Sequence, residues 1–213
     1  MYLSNSSYAC WIELGKPPEH DFSVSPVLLD GSQQIFNLAI MNRDYHALHN
    51  LDADTVHCWL KLLILMIATS YRINEPDRVF KSEYIISQSI MLACKELGLD
   101  GVAYYSKRVA DQMFSQAAIN LALFATYQQG KEYSEICYHL KIGNSYNYAM
   151  FKQLNSLAIN FSYDLRCLKI NTANKIGTYE HQYNYRDTEF CRFDQFLFSE
   201  WKKDNIEFGN AVT

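Results

Sequence analysis

The stretch from Ser82 to Ala125 constrains the fold more than any other. Ser82 followed by Glu83 is a good helix start, since the hydroxyl can accept an orphan backbone amide and the carboxylate suits the positive helix end. Ile86, Ile90, Ala93 and Leu97 then step by four, three and four residues, which predicts one apolar stripe, and Gly98 stands where a helix closes. Leu99-Asp100-Gly101 turns the chain into a strand over Val102 to Tyr105, Ser106-Lys107-Arg108 forms a polar loop, and Ile119 to Ala125 reads as a second strand. A helix, a strand, a loop and a strand follow in that order.

The flanking segments are read the same way. Met1 to Ser4 is a short strand, and Asn5-Ser6-Ser7 supplies caps for a helix to about Leu14, stopped by Gly15 and Pro17-Pro18. Phe22 to Ser25 reads as a strand ending at Pro26, whereas Gln34 to Ile40 is ambiguous between strand and helix. Thr55 is placed as the cap of a helix from Val56 to about Tyr71, apolar nearly all round and therefore expected at the centre of the core. Tyr138 to Ile142 and Tyr146 to Leu154, with Gly143-Asn144-Ser145 between them, suggest a hairpin, and 157–170 holds a further strand. Asp187 to Lys202, rich in Phe and ending near Trp201, is expected to be a terminal amphipathic helix whose aromatic stripe is core or a dimer contact.

Charge and composition exclude several classes of function. With 19 Lys+Arg against 23 Asp+Glu in 213 residues, the net charge is -4 and offers no footprint for nucleic acid. Hydrophobic residues make up 49 % and mean hydropathy is -0.20, the signature of a globular chain. The longest apolar run, Leu62 to Ala68, is far short of the roughly 20 residues needed to cross a bilayer. The six Cys lie 24 to 48 residues apart with no C-x-x-C pair, which argues against structural zinc and for reduced, buried thiols in a cytoplasmic protein. No secretion signal precedes residue 20. His46 and His49 sit three apart, but no carboxylate or Cys completes a metal set, so no metal site is expected.

Three segments together resemble the RES domain family of toxin-like proteins. Tyr2-Leu3-Ser4-Asn5-Ser6 followed by Ala9-Cys10-Trp11-Ile12-Glu13-Leu14 is similar to the family's strand and Glu-bearing helix. Glu83-Tyr84-Ile85-Ile86-Ser87-Gln88 with Leu99-Asp100-Gly101-Val102-Ala103-Tyr104-Tyr105-Ser106 is similar to its "PQ, helix, G-x-D-G-I-x-Y-x-S" segment, Ser87 replacing the usual Pro. Asn120-Leu121-Ala122-Leu123-Phe124 is similar to its closing "N-x-V-L-F" strand. The resemblance covers residues 2 to 125, a RES-like domain, and leaves 126–213 as a C-terminal extension packed on it.

The resemblance implies an α+β, ADP-ribosyltransferase-like fold with a mixed or antiparallel sheet and packed helices, and cleavage of the nicotinamide–ribose bond of NAD+, as substrate and not as cofactor. Glu13 and Ser106 would be its catalytic residues, while Tyr2, Tyr105 and Asn120 would hold NAD+. It also implies an antitoxin-like protein partner and, upstream of the first strand, a phosphate-gripping Arg segment that this chain begins after. A non-catalytic descendant that keeps the fold for ligand or protein binding is the alternative reading. Taken singly, these residues have plainer readings: Glu13 as a solvated carboxylate, Ser106 as a strand-end turn residue, and Lys107-Arg108 as a solvated loop, with a phosphate contact as the functional alternative for that pair. Asn120 says more, because an amide in an apolar strand needs partners.

Overall fold

The computed structural model describes residues 1–39, 52–70, 84–109, 117–126, 129–156, 175–177 and 182–204. His46, His49, the Ser82-Glu83 helix start and the strand expected in 157–170 lie outside them. Within them the architecture is mixed α+β, with five α-helices beside a mixed sheet.

The central sheet holds four strands in the order β1 (Tyr2–Ser4), β6 (Ile119–Leu123), β5 (Gly101–Tyr105) and β4 (Ile35–Asn37). The β1–β6 and β6–β5 pairs are antiparallel, and β5–β4 is parallel. Within the ambiguous stretch Ile35–Asn37 is strand: Ile35 pairs with Gly101 and Asn37 with Ala103. The strands pack closely around Gly101, where a Cβ would stand 2.5 Å from the Ala122 carbonyl oxygen. Ser4, Asn120 and Tyr104 are directly opposed across three strands, so their side chains share one face. Tyr105, one residue on, points to the other face.

Helix α1 (Ser7–Glu13) begins where the sequence places it, with the Ser6 hydroxyl accepting from the Ala9 amide at 3.1 Å. Its Ala9 and Ile12 pack with Val109 and Ala118. Helix α2 (Ala53–Thr69) departs from expectation twice. Asp52 is its cap, accepting from both the Thr55 amide and the Thr55 hydroxyl. It also lies at the edge of the described core, with Met66 buried while Leu60, Ile64 and Ile67 are exposed.

Helix α3 (Ile85–Glu96) presents a different stripe from the predicted one. Cys94 is buried and packs with Leu38 and Val102, flanked by Ile90 and Met91, whereas Ile86 and Leu97 are exposed. The inward face continues to Ser87, which lines the cleft described below. A polar residue on that face hides the true stripe from a hydrophobicity pattern.

The expected hairpin over 138–154 is not formed. Tyr138 belongs to a 3-10 turn (Glu135–His139), and β7 (Leu140–Ile142) pairs antiparallel with β3 (Val27–Leu29). β8 (Tyr146–Asn147) pairs with β2 (Ser23–Val24), and the chain then enters helix α4 (Tyr148–Ser156). Two segments thus run side by side, one bent at Pro26 and the other at Gly143. The Gly143 amide donates to the Pro26 carbonyl at 2.9 Å, and a Cβ at Gly143 would stand 2.8 Å from the Pro26 ring. The turn residues wrap a partner instead of reversing the chain.

A short ribbon, β9 (Lys175–Gly177) with β10 (Gln182–Asn184), precedes the terminal helix α5 (Glu189–Asp204). The aromatic face of α5 is core. Phe193 and Phe196 are buried with Phe22, Tyr148 and Phe151, and the Tyr148 and Phe190 rings stack at 5.0 Å. Tyrosines join this core: Tyr148 and Tyr185 are buried, and Tyr146 meets Phe196 edge to face.

Candidate functional site

Glu13 ends helix α1, and the chain beyond it is held by a tight reversal. The Lys16 amide donates to the Trp11 carbonyl and the Gly15 amide to the Ile12 carbonyl, each at 2.9 Å. Gly15 has φ +80°, the left-handed conformation that this closure requires. A carboxylate at a helix C-terminus faces the negative end of the backbone dipoles. Its position therefore depends on donors from elsewhere.

Three donors are supplied. Oε1 of Glu13 accepts from the Ser106 hydroxyl at 2.5 Å and from Nδ2 of Asn120 at 2.7 Å. Oε2 lies 3.6 Å from Nε of Arg108, a partly exposed ion pair. The Ser4 hydroxyl donates to Oδ1 of Asn120 at 2.6 Å, which fixes the amide so that its NH2 faces Glu13. The Arg108 amide donates to the Ser106 oxygen at 3.2 Å. Ser106 and Asn120 are 6 % and 4 % exposed, so these bonds are shielded from water and strengthened by their charged acceptor.

This cluster opens onto a cleft of about 1030 Å³ between β1, α1, the β2–β3 segment, α3 and the polar face of β5–β6. Tyr2, Glu13, Tyr84, Tyr104, Lys107 and Asn120 line it. The wall is mostly apolar with a few convergent polar groups, the usual character of a small-molecule site. Burial raises the Tyr104 hydroxyl well above its ordinary pKa, and the nearby Glu13 charge adds to the effect. Burial likewise pushes the Cys10 thiol up to about 11, which keeps it protonated at neutral pH.

The structure thus brings Glu13, Ser106 and Asn120 to one point, with Tyr2 at the cleft mouth, 72 % exposed. Two of the residues expected at the site lie outside the cleft lining. Tyr105 is not part of the cleft lining: it is buried on the opposite face of β5 against Ala39 and Met66. Tyr104 occupies the cleft instead, because alternation along a strand sends neighbours to opposite faces. Ser106 directs its hydroxyl at Glu13 and is outside the cleft lining, so its direct partner is the carboxylate.

Sequence reasoning missed Ser4 and Asp194. Ser4 was legible from register, since it alternates with Tyr2 on the face that Asn120 shares. Asp194 is a carboxyl set among Phe193, Phe196 and Leu197 on the inward side of α5, and a charge in such a stripe is a signal in itself. It accepts from the Ser7 amide at 2.9 Å and from the Tyr185 hydroxyl, and burial raises its pKa to about 6. The terminal helix thereby grips the first turn of the helix that ends in Glu13.

Comparison with known proteins gives one relative: the chain is 26 % identical over 148 residues to "Putative toxin YopC" of Bacillus subtilis (strain 168). The match covers 60 % of this chain and 30 % of that protein, so the chain spans under a third of the relative's length. No family model matches the chain. No solved structure matches it either. Among the described residues, no helix is long and apolar enough to cross a membrane.

Proposed function

We propose that this chain binds NAD+ in the cleft and cleaves its nicotinamide–ribose bond, a toxin-like activity in an ADP-ribosyltransferase-like fold. The observation that carries the reading is the Glu13 carboxylate, held in the cleft wall by Ser106 and Asn120 from 93 and 107 residues away in sequence. Such a long-range arrangement around one carboxylate matches the order of motifs in the RES resemblance. The toxin named in the relative supports the toxin-like part of the reading.

The chemistry follows from charge. As the bond from ribose C1′ to the nicotinamide nitrogen breaks, its electron pair leaves on nicotinamide and positive charge develops on the ribose. A fixed carboxylate beside the ring stabilises that charge more in the transition state than in the ground state. An acceptor oxygen then adds to C1′ and loses its proton. Asn120 and Ser106 hold Oε1, leaving the Glu13 carboxylate oriented before substrate arrives. Tyr2 and Tyr104 offer aromatic faces to the flat nicotinamide ring. In the cell, in this reading, a protein partner silences the enzyme in the cytoplasm.

The test is loss of NAD+ on incubation with the purified chain, followed by chromatography of nicotinamide release. Glu13→Gln keeps the shape and removes the charge, and should slow cleavage by roughly 10²–10³-fold. No loss of NAD+ over a wide range of enzyme concentration would sink the proposal. A Glu13→Gln variant as fast as the parent would remove Glu13 from it.

A further inference from the structure

The turn that follows β5 holds Glu13 from two of its residues. Ser106 donates to Oε1 at 2.5 Å, and Nε of Arg108 stands 3.6 Å from Oε2. The residue between them reaches α3 instead. Lys107 is 4 % exposed, its ammonium donating to the Ser87 hydroxyl at 2.8 Å and sitting 4.8 Å from the centre of the Tyr84 ring. Tyr84 and Ser87 stand three residues apart at the start of α3, so one helix face receives the side chain. A buried ammonium is costly to part from its partners, which makes its place a fixed point. The Ser106 amide donates to the Ala118 carbonyl at 2.8 Å, so the turn is tied to β6, to α1 and to α3.

We propose that Lys107 is a positioning residue, which pins this turn to α3 and thereby aims the Ser106 hydroxyl at Glu13. The Arg108 amide donates to the Ser106 oxygen at 3.2 Å, so the hydroxyl keeps its aim only while the 106–108 backbone keeps its shape. Lys107 is the middle residue of that backbone. The second support of Glu13 is independent of it: Asn120 lies inside the sheet, opposite Tyr104 and Ser4, and the Ser4 hydroxyl orients its amide. Lys107 therefore acts on the Ser106 half of the carboxylate's support and not on the Asn120 half.

The test is a double-mutant cycle on NAD+ cleavage by the whole chain, with kcat and KM resolved, and it rests on the NAD+ reading. Lys107→Met removes the ammonium with little change of length, and should lower kcat roughly tenfold with KM within about twofold. In a chain that already carries Ser106→Ala, the same change should cost less than about twofold, whereas beside Asn120→Ala it should keep its full effect. Circular dichroism melting checks folding. If Lys107→Met does not fold, Ser87→Ala runs the same cycle: a loss of kcat by a few fold that Ser87→Thr, which keeps the hydroxyl, restores. An unchanged kcat, or a loss of equal size with and without the Ser106 hydroxyl, overturns the positioning role and leaves NAD+ cleavage standing. If the parent leaves NAD+ intact, urea midpoints of parent, Lys107→Met, Glu13→Gln and the double variant repeat the cycle without substrate. Shifts that do not add then keep the coupling of Lys107 to Glu13 although the NAD+ reading falls, and shifts that add overturn it.

Discussion

Replacing Asp194 by Asn should flatten the pH dependence of stability. Asp194 is buried, and burial raises its pKa from an ordinary 3.8 to about 6, with the bonds from Tyr185 and Ser7 opposing the shift. The folded chain therefore holds this proton more tightly than the unfolded chain between those two values. Stability contributed by the protonated carboxyl is fully present below about pH 4 and is lost as pH rises through about 6. At about 1.4 kcal/mol per pH unit, the window is worth about 3 kcal/mol. An Asn keeps an acceptor for the Ser7 amide and carries no proton to lose. Urea unfolding of both proteins from pH 4.5 to 7.5 reads the difference. The variant should gain on the parent by about 2 kcal/mol across that range, the rest of the window lying below pH 4.5, whatever its offset at one pH. Asp30, Asp52 and Glu135, held below their ordinary pKa by nearby donors, act in the opposite sense. They are common to both proteins and cancel in the comparison. Parallel profiles, or a parent that gains on the variant as pH rises, would refute the reasoning.

Gly101→Ala would drive a methyl group to 2.5 Å from the Ala122 carbonyl oxygen inside the sheet, and should cost roughly 1–3 kcal/mol by overpacking, read as a lower urea midpoint at unchanged slope. Asn120→Asp would set a second carboxyl against Oε1 of Glu13, where the amide now donates at 2.7 Å. Two carboxyls so close share one proton, so the loss of stability should be larger at pH 8 than at pH 5 by about 1.4 kcal/mol or more, measured by the same unfolding series.

The parts of the fold legible in the sequence are those governed by local chemistry. Ser6 caps α1 and Gly15 closes it, and Gly98 ends α3 with φ +74°, each as expected from residue type. Strands β5 and β6 fall where alternation and turns place them. The failures come where a distant partner decides. Gly143-Asn144-Ser145 has the composition of a hairpin turn, but the strands on either side pair with β2 and β3, more than a hundred residues earlier. The inward face of α3 joins Ser87, which accepts from Lys107, to Cys94 and Ile90, a mixture that no hydrophobic stripe marks.

The candidate site divides along the same line. Glu13 and Ser106 could be named only through the motifs of the RES resemblance, whereas Asn120 also stands out by itself as an amide in an apolar strand. Choosing between Tyr104 and Tyr105 needed the register of β5 against β6, which pairs Tyr104 with Asn120 and turns Tyr105 toward Met66. Asp194 illustrates the remainder. Its carboxyl reaches the Ser7 amide 187 residues away, so the helix that carries Glu13 is anchored at one end by α5 and at the other by the sheet. The C-terminal region lies beyond the resemblance, and its hold on the first turn of α1 makes it part of what positions the carboxylate.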